Sequence, residues 1–306
     1  MAAVPGKVAE TMERAEAKRV RFREGLQSSS PLVAVGAHDA LTAQLIQAYG
    51  FDAVWVGGFG ISTMTYAMPD LNLLTMAEAL AAARRIDAAT DLPVIADCDN
   101  GYGGLSNLVR TVREYERSGI AGICVEDNTF PKRNSLYQGE TVRELISTEE
   151  QVRRIRAAKQ SQETTTFVFI ARVEALIAGH GVDEALGRAE AYAGAGADAI
   201  LIHSRDRTLA EIESFLQRWR SRASVPLVAV PTLFPSFTVE QLHGRGFQMI
   251  IFANHPMRAA VTGIEKSLDI LRRTGRASSL DDSICPVDHL FDLVRTKEAI
   301  ALEEGP

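Results

Sequence analysis

The chain has 306 residues, 46% hydrophobic and 24% charged, with a net charge of −6. That is enough for one large domain with a filled core; it excludes a general nucleic-acid binder, which needs a broad basic face, and no apolar run reaches membrane-spanning length. The three cysteines, Cys98, Cys124 and Cys285, form no CxxC pair, and the first two sit in apolar runs, so they read as buried thiols in a reducing compartment rather than as a disulfide or zinc ligands.

The N-terminal segment MAAVPGKVAETMERAEAKRVRFREGL is charged throughout and lacks the apolar stretch of a secretory signal. It is expected to be a helical arm, about 1–30, packed on the outside of a cytoplasmic protein. Strand-like runs then recur along the chain: PLVAVGA, FDAVWVGG, LPVIADCD, AGICVED, FVFIARVE, ADAILIHS, VPLVAVP and FQMIIFANH. Segments with helical apolar periodicity separate most of them, including 40–49, 76–88, 108–119, 148–159, 183–194 and 208–219. Runs apolar on both faces, alternating with helices, call for buried parallel strands joined by crossovers. Eight units in about 250 residues predict an α/β fold of the (β/α)8, or TIM-barrel, class. No linker divides the chain, so one domain spanning 1–306 is expected, with a helical tail at about 276–306 that supplies an extra C-terminal helix over Val287 to Leu302.

In such a barrel the chemistry lies at the carboxyl ends of the strands. Here those ends carry Asp97 and Asp99, Glu126 and Asp127, Arg172 and Glu174, His203 and Ser204, and Asn254 and His255. Asp97 and Asp99 should point to opposite sides of a strand unless the following GYGG turns the backbone between them. Carboxylates converging at one rim repel unless a cation sits among them, and hard oxygen donors suit Mg²⁺, with Mn²⁺ as a substitute. Arg172 ends an apolar strand and needs an anion, which is either Glu174 or another acid, or else a bound phosphate or carboxylate. His203 is either a satisfied core histidine or a ligand-facing one, the second being favoured by its place at a strand end. Gly57 and Gly58 either let backbone amides approach a ligand or form a plain tight turn. The segment Thr129 to Gly139 is too polar for a core and reads as a lid, with Lys132, Asn134 and Ser135 as donors to an anion. The residues alone thus predict a Mg²⁺-dependent barrel enzyme for a small, doubly anionic substrate.

At these residues the sequence resembles the phosphoenolpyruvate mutase/isocitrate lyase superfamily, from about Val33 to Arg273. GAHDALTA, VWVGGFGIS, YAMPDLNLLT, IADCDNGYGG, EDNTFPKRNS, IARVEALIAG, AGADAILIHSR and FANHPMRAA carry the likeness. It is similar to the branch that handles phosphonopyruvate: where the lyases bear a KxCGH-type lid cysteine, this chain reads PKRNS. The resemblance implies that Asp97 holds Mg²⁺ directly, with Asp70, Asp99 and Glu126 supporting it largely through water. It implies that the backbone at Gly57, Gly58 and Phe59 binds a pyruvyl group, that Trp55 walls the pocket, and that Arg172, His203, Asn134 and Ser135 surround a phosphoryl group under Lys132 on the lid. The implied activity is the mutase reaction between phosphoenolpyruvate and phosphonopyruvate, with phosphonopyruvate hydrolysis or another 2-oxo acid reaction as alternatives. Asn134–Ser135 follows the mutase signature, whereas Asn128 stands where the family has Lys and Gly57 where it has Ser. The resemblance also implies a homodimer or homotetramer that exchanges C-terminal helices, for which Leu290, Leu293, Val294 and Ile300 supply apolar positions.

Overall fold

The structure, a computed structural model, describes residues 5–137, 139, 142–219 and 225–305, with side chains from Met12 onward. They fall into two compact units, 1–254 and 255–306.

In the first unit eight strands, all parallel, close into a barrel in chain order: β1 (Leu32–Ala37), β2 (Ala53–Val56), β3 (Val94–Asp97), β4 (Gly122–Glu126), β5 (Val168–Val173), β6 (Ala199–Ile202), β7 (Leu227–Ala229) and β8 (Phe247–Phe252), with β8 pairing back onto β1. Parallel neighbours need crossovers. These contain, in order after an N-terminal α1 (Pro5–Gln27), helices α2 (Ala40–Ala48), α3 (Gly58–Tyr66), α4 (Met76–Ala88), α5 (Leu105–Arg117), α6 (Thr148–Ser161), α7 (Gly181–Gly194), α8 (Ala210–Trp219) and α9 (Val239–Arg245). Their starts follow local chemistry. Asp39 and Ser147 accept helix N–H groups at α2 and α6, and Thr75/Glu78 and Thr238/Gln241 form reciprocal capping boxes at α4 and α9.

Alternation along the strands sorts the core into two layers. One face, including Val54, Val94, Ile123, Phe169 and Ile200, packs under the helices; the other, including Ala34, Ile95, Cys124, Ile170, Leu201 and Ile251, fills the barrel. The arm expected on the outside behaves differently. Phe22 and Leu26 of α1 belong to the interior cluster, and Arg23 bonds Asp198 and the carbonyl of Phe167, where β5 and β6 begin. The reason is the apolar pair 22/26, one helical turn apart, which the charged surroundings mask in the sequence. α1 closes the amino-terminal mouth of the barrel, and the carboxyl mouth is left for chemistry.

The second unit holds α10 (His255–Thr274), a 3₁₀ turn (Ala277–Leu280), α11 (Val287–Leu293) and α12 (Thr296–Glu304). The single tail helix expected over 287–302 is thus two, because Arg295 takes a left-handed conformation, φ 55°, that ends helical hydrogen bonding. The architecture is a (β/α)8 barrel with extra C-terminal helices. No helix among the described residues is long and apolar enough to cross a membrane.

Candidate active site

The two-residue period of the strands builds the site. One step beyond the interior positions Ile95, Cys124, Ile170 and Leu201 come Asp97, Glu126, Arg172 and His203; one step beyond Ala53, Val228 and Ile251 come Trp55, Val230 and Ala253. All seven line one cavity at the carboxyl mouth. Register matters too: β4 pairs with β5 so that Glu126 lies directly beside Arg172.

Arg172 is the hub. Its Nε donates to Glu174, and Nη2 donates to Ser135 Oγ at 2.7 Å and lies 3.1 Å from His203 Nδ1. Nη1 stands 3.3 Å from Glu126 and 3.7 Å from Asp97. Of the alternatives for its anion, the structure shows the protein acids: Glu174 takes one edge, and Glu126 and Asp97 face the other. Glu174 also accepts from Ser135 Oγ at 2.8 Å and lies 3.2 Å from His203 Nδ1, while His203 Nε2, buried, has no partner. Although burial works against it, Arg172 with His203 and Ser135 holds the Glu174 carboxyl below the ordinary range.

The second cluster forms where the chain turns. Asp99 takes φ 49°, the turn expected from GYGG, and its amide bonds Asp97 Oδ1 at 3.2 Å. Lys132 reaches over from the lid to pair with Asp70 at 2.8 Å and with Asp99, while Asn72 accepts the Lys132 backbone N–H at 2.6 Å. Asn134 Nδ2 donates to Asp70 at 2.7 Å. The stem of the lid is a short antiparallel pairing, with Thr129 N–H bonded to Glu144 O at 3.0 Å and Ile146 N–H to Asp127 O at 3.0 Å. Gln138, inside the expected lid, lies outside the described residues.

Five carboxyl groups, Asp70, Asp97, Asp99, Glu126 and Glu174, thus face two cations, Lys132 and Arg172. The imbalance shows in their acidities. Burial, opposed by Arg172 and Lys132, pushes Glu126 up to about 8, and burial with the charges of Asp97 and Asp70 raises Asp99 to about 6 against the pull of Lys132. Lys132 stays charged, its acids outweighing the cost of burial. Glu126 Oε1 is buried without a partner. An all-oxygen donor set with excess negative charge and an orphaned carboxylate oxygen fits a hard divalent cation. No three Asp, Glu, His or Cys side chains among the described residues form a ready-made cage.

Beside Asp70 and Asp99, α3 begins at the cavity. Gly57, Phe59 and Gly60 border it, and the first intrahelical bond runs from Ile61 N–H to Gly57 O, so the amides of residues 58–60 are unclaimed by the helix. A helix N-terminus with free amides receives a carboxylate. Gly57 has ordinary angles, φ −88° and ψ 131°, and its want of a side chain matters for space: a Cβ there would lie 3.2 Å from Trp55 Nε1.

Of the expected residues, Trp55, Gly57, Phe59, Asp70, Asp97, Glu126, Lys132, Asn134, Ser135, Arg172 and His203 border the cavity. Gly58 and Asp99 do not; they meet behind it, where a Cβ on Gly58 would come within 3.1 Å of Asp99 Oδ1. Asp127 faces away, bonded to Arg188, Tyr192 and the Glu174 amide. Asn128 lies in the lid stem, outside the cavity. Sequence reading missed Asn72, which seats Lys132, and Thr232 on the cavity wall; Glu174 and Asn254 were noted at strand ends, the first as a counter-ion and the second without a role.

The profile of the phosphoenolpyruvate phosphomutase family matches residues 22–271. The chain belongs to this family. It is accordingly an enzyme of the phosphoenolpyruvate mutase/isocitrate lyase superfamily. It is 39% identical over 287 residues to phosphonopyruvate hydrolase of Variovorax sp., covering 94% of this chain and 98% of that protein. A crystal structure of phosphoenolpyruvate phosphomutase from Streptomyces platensis superposes with a TM-score of 0.90 at 40% identity, covering 94% and 98% of the two chains. Phosphonopyruvate hydrolase in complex with oxalate and Mg²⁺ superposes at 0.87 and 38% identity, with the same coverage. Mutase and hydrolase relatives are both close.

Proposed function

We propose that the chain is a Mg²⁺-dependent phosphoenolpyruvate mutase, interconverting phosphoenolpyruvate and phosphonopyruvate. The observation that carries this reading is the lid: Lys132, Asn134 and Ser135 are each hydrogen-bonded or paired to residues of the cavity wall, and a covered site is what recapture of a transferring phosphoryl group requires. Asp97 would hold the ion, with Asp70, Asp99 and Glu126 around it. When bound it supplies a Lewis acid for the enolate oxygen that appears as the phosphorus–carbon bond breaks.

The chain's own groups do the rest. The α3 amides hold the pyruvyl carboxylate. Arg172, with Ser135 and His203 oriented on it, faces the three oxygens of a loose, metaphosphate-like group and spreads its charge. The amide of Asn134, pinned on Asp70, stands where water would otherwise enter. Recapture by the enolate oxygen gives the mutase. Capture by water gives pyruvate and phosphate, the second reading, which the Variovorax relative favours. Phosphorus-31 NMR on phosphonopyruvate with purified protein and Mg²⁺ decides: phosphoenolpyruvate as the main early product supports the mutase, and phosphate with pyruvate but no phosphoenolpyruvate at any time makes it the hydrolase.

The same reading includes self-association. On α10, Val261, Ile264, Leu268 and Leu271 form an exposed apolar stripe, and Leu290, Phe291, Val294 and Ile300 are exposed beyond it. We propose that a second copy covers these helices, as in a dimer or tetramer that exchanges them. A light-scattering mass equal to one 33.3 kDa chain would exclude it. Three free cysteines agree with a cytoplasmic location.

A further inference from the structure

Two guanidinium groups stand on the backbone of the lid without an acid. Arg143 comes from the chain returning after the lid; Arg205 comes from the segment after β6, two residues beyond His203. Both turn onto the lid backbone. Arg143 Nη2 donates to Asn134 O at 3.0 Å and to Tyr137 O at 2.7 Å. Arg205 Nη2 donates to the same Tyr137 oxygen at 2.6 Å, and its Nε to Ser135 O at 3.4 Å. No ion pair joins either arginine to a carboxylate among the described residues.

This is costly by itself. Burial and then the charge of Arg205 hold the Arg143 guanidinium below its ordinary value, while Glu174 beneath the lid pulls the other way. Two cations sharing one carbonyl repel, and an anion held beneath them offsets that repulsion. The carbonyls they grip belong to the turn that carries Asn134 and Ser135. Ser135 Oγ meets Arg172 and Glu174 only while its backbone stays at that height.

We propose that Arg205 is a positioning residue: with Arg143 it forms a clasp that holds the 134–137 turn down over a bound anion and so keeps Ser135 on Arg172. The clasp rests on reading the segment as a substrate-covering lid, and it does not depend on which product the enzyme makes.

The test uses oxalate with Mg²⁺ as the probe and measures its association and release by stopped flow. Arg205→Ala should release oxalate about ten- to a hundred-fold faster, the size expected for a lost hydrogen bond from a charged donor, with association changed less than about two-fold. Arg205→Lys should fall between, since an ammonium can grip one carbonyl. The Arg143→Ala/Arg205→Ala pair should lose less than the product of the single effects, because both act on Tyr137 O. Arg205 is exposed, so its thermal midpoint should hold. Hydrogen exchange at the 134–137 amides of the ligand-free protein should rise in Arg205→Ala, a reading available whether or not oxalate binds tightly. Unchanged exchange with unchanged release overturns the clasp, and so does an effect confined to association, which would make Arg205 a steering charge. The mutase reading fails separately, if wild type forms no phosphoenolpyruvate while Arg205→Ala still speeds oxalate release.

Discussion

The inward layer at the carboxyl mouth is made by one rule, two residues per step, yet its halves are unlike. From β3 to β6 it carries Asp97, Glu126, Arg172 and His203; from β7 round to β2 it carries Val230, Ala253, Gly36 and Trp55. The first half is an electrostatic device whose members hold one another in place and leave negative charge over. The second is a matter of shape: Gly36 is needed because the carbonyl of Ala253 passes where its Cβ would be, 1.9 Å away. That close approach brings the chain on to Asn254, which borders the cavity. The charged half should therefore fail when an atom is removed, and the small half when one is added.

The largest expected effect is on the charged half. Asp97→Ala should lower kcat at least about a thousand-fold, the scale of removing a group that stabilises developing charge. Thorough chelation with EDTA should do the same to wild type, with Mg²⁺ restoring it. Full activity after chelation would sink the metal assignment. The adjacent Asp127 tests the boundary of that half. Buried and pinned by Arg188 and Tyr192, it should cost about 3–5 kcal/mol of stability as Asp127→Ala, by leaving Arg188 without its buried partner. Denaturant unfolding reads this.

On the small half, Gly36→Ala adds one methyl group into backbone. Overpacking costs about 1–3 kcal/mol when neighbours can shift, and here the neighbour is a main-chain carbonyl, so the upper end is expected. The midpoint of urea unfolding should fall while the folded fraction keeps its metal dependence. Retained stability would mean that β8 is freer to move than its pairing with β1 implies.

How far these halves could be read in advance differs for a physical reason. The strands were legible because burial on both faces writes itself into consecutive residues, as in VFIAR and AILIH. Asp97, Glu126, Arg172 and His203 were legible because a charge ending such a run has no use in a core. Arg205 and Asn72 were not. Their partners lie roughly 60–70 residues away on other loops, and no periodicity records a contact between loops. Gly36 was invisible for a further reason: a glycine in PLVAVGA looks like any small strand residue until β8 is laid beside it. Phe22 was hidden by the charges around it in α1.

A smaller effect is expected where the lid spans both halves. Asn134→Thr introduces a hydroxyl but loses the amide that donates to Asp70 at 2.7 Å while accepting the Leu136 N–H at 2.9 Å. The loosened lid should admit water, so the share of phosphate and pyruvate among products should rise several-fold, the scale of one neutral hydrogen bond. Phosphorus NMR of product ratios at early times checks it, and an unchanged ratio would remove Asn134 from control of the outcome.

The smallest change is the most informative about substrate size. At Gly57 the backbone would accept serine without strain, and the few tenths of a kcal/mol that its cap on α3 adds are offset by the press of its Cβ on the Trp55 indole, so stability should hold. What serine changes is the notch beside the Trp55 indole, which its Cβ would approach to 3.2 Å. If the natural substrate is as compact as phosphonopyruvate, the notch is spare space, and the added hydroxyl offers one more donor beside the α3 amides. Gly57→Ser should then lower KM for phosphonopyruvate by a few-fold, the worth of a neutral hydrogen bond, with kcat little changed. A KM that rises instead, with the thermal midpoint unmoved, would mean that part of the substrate lies in the notch. The small half of the cavity would then be shaped for a bulkier 2-oxo acid than the charged half alone requires.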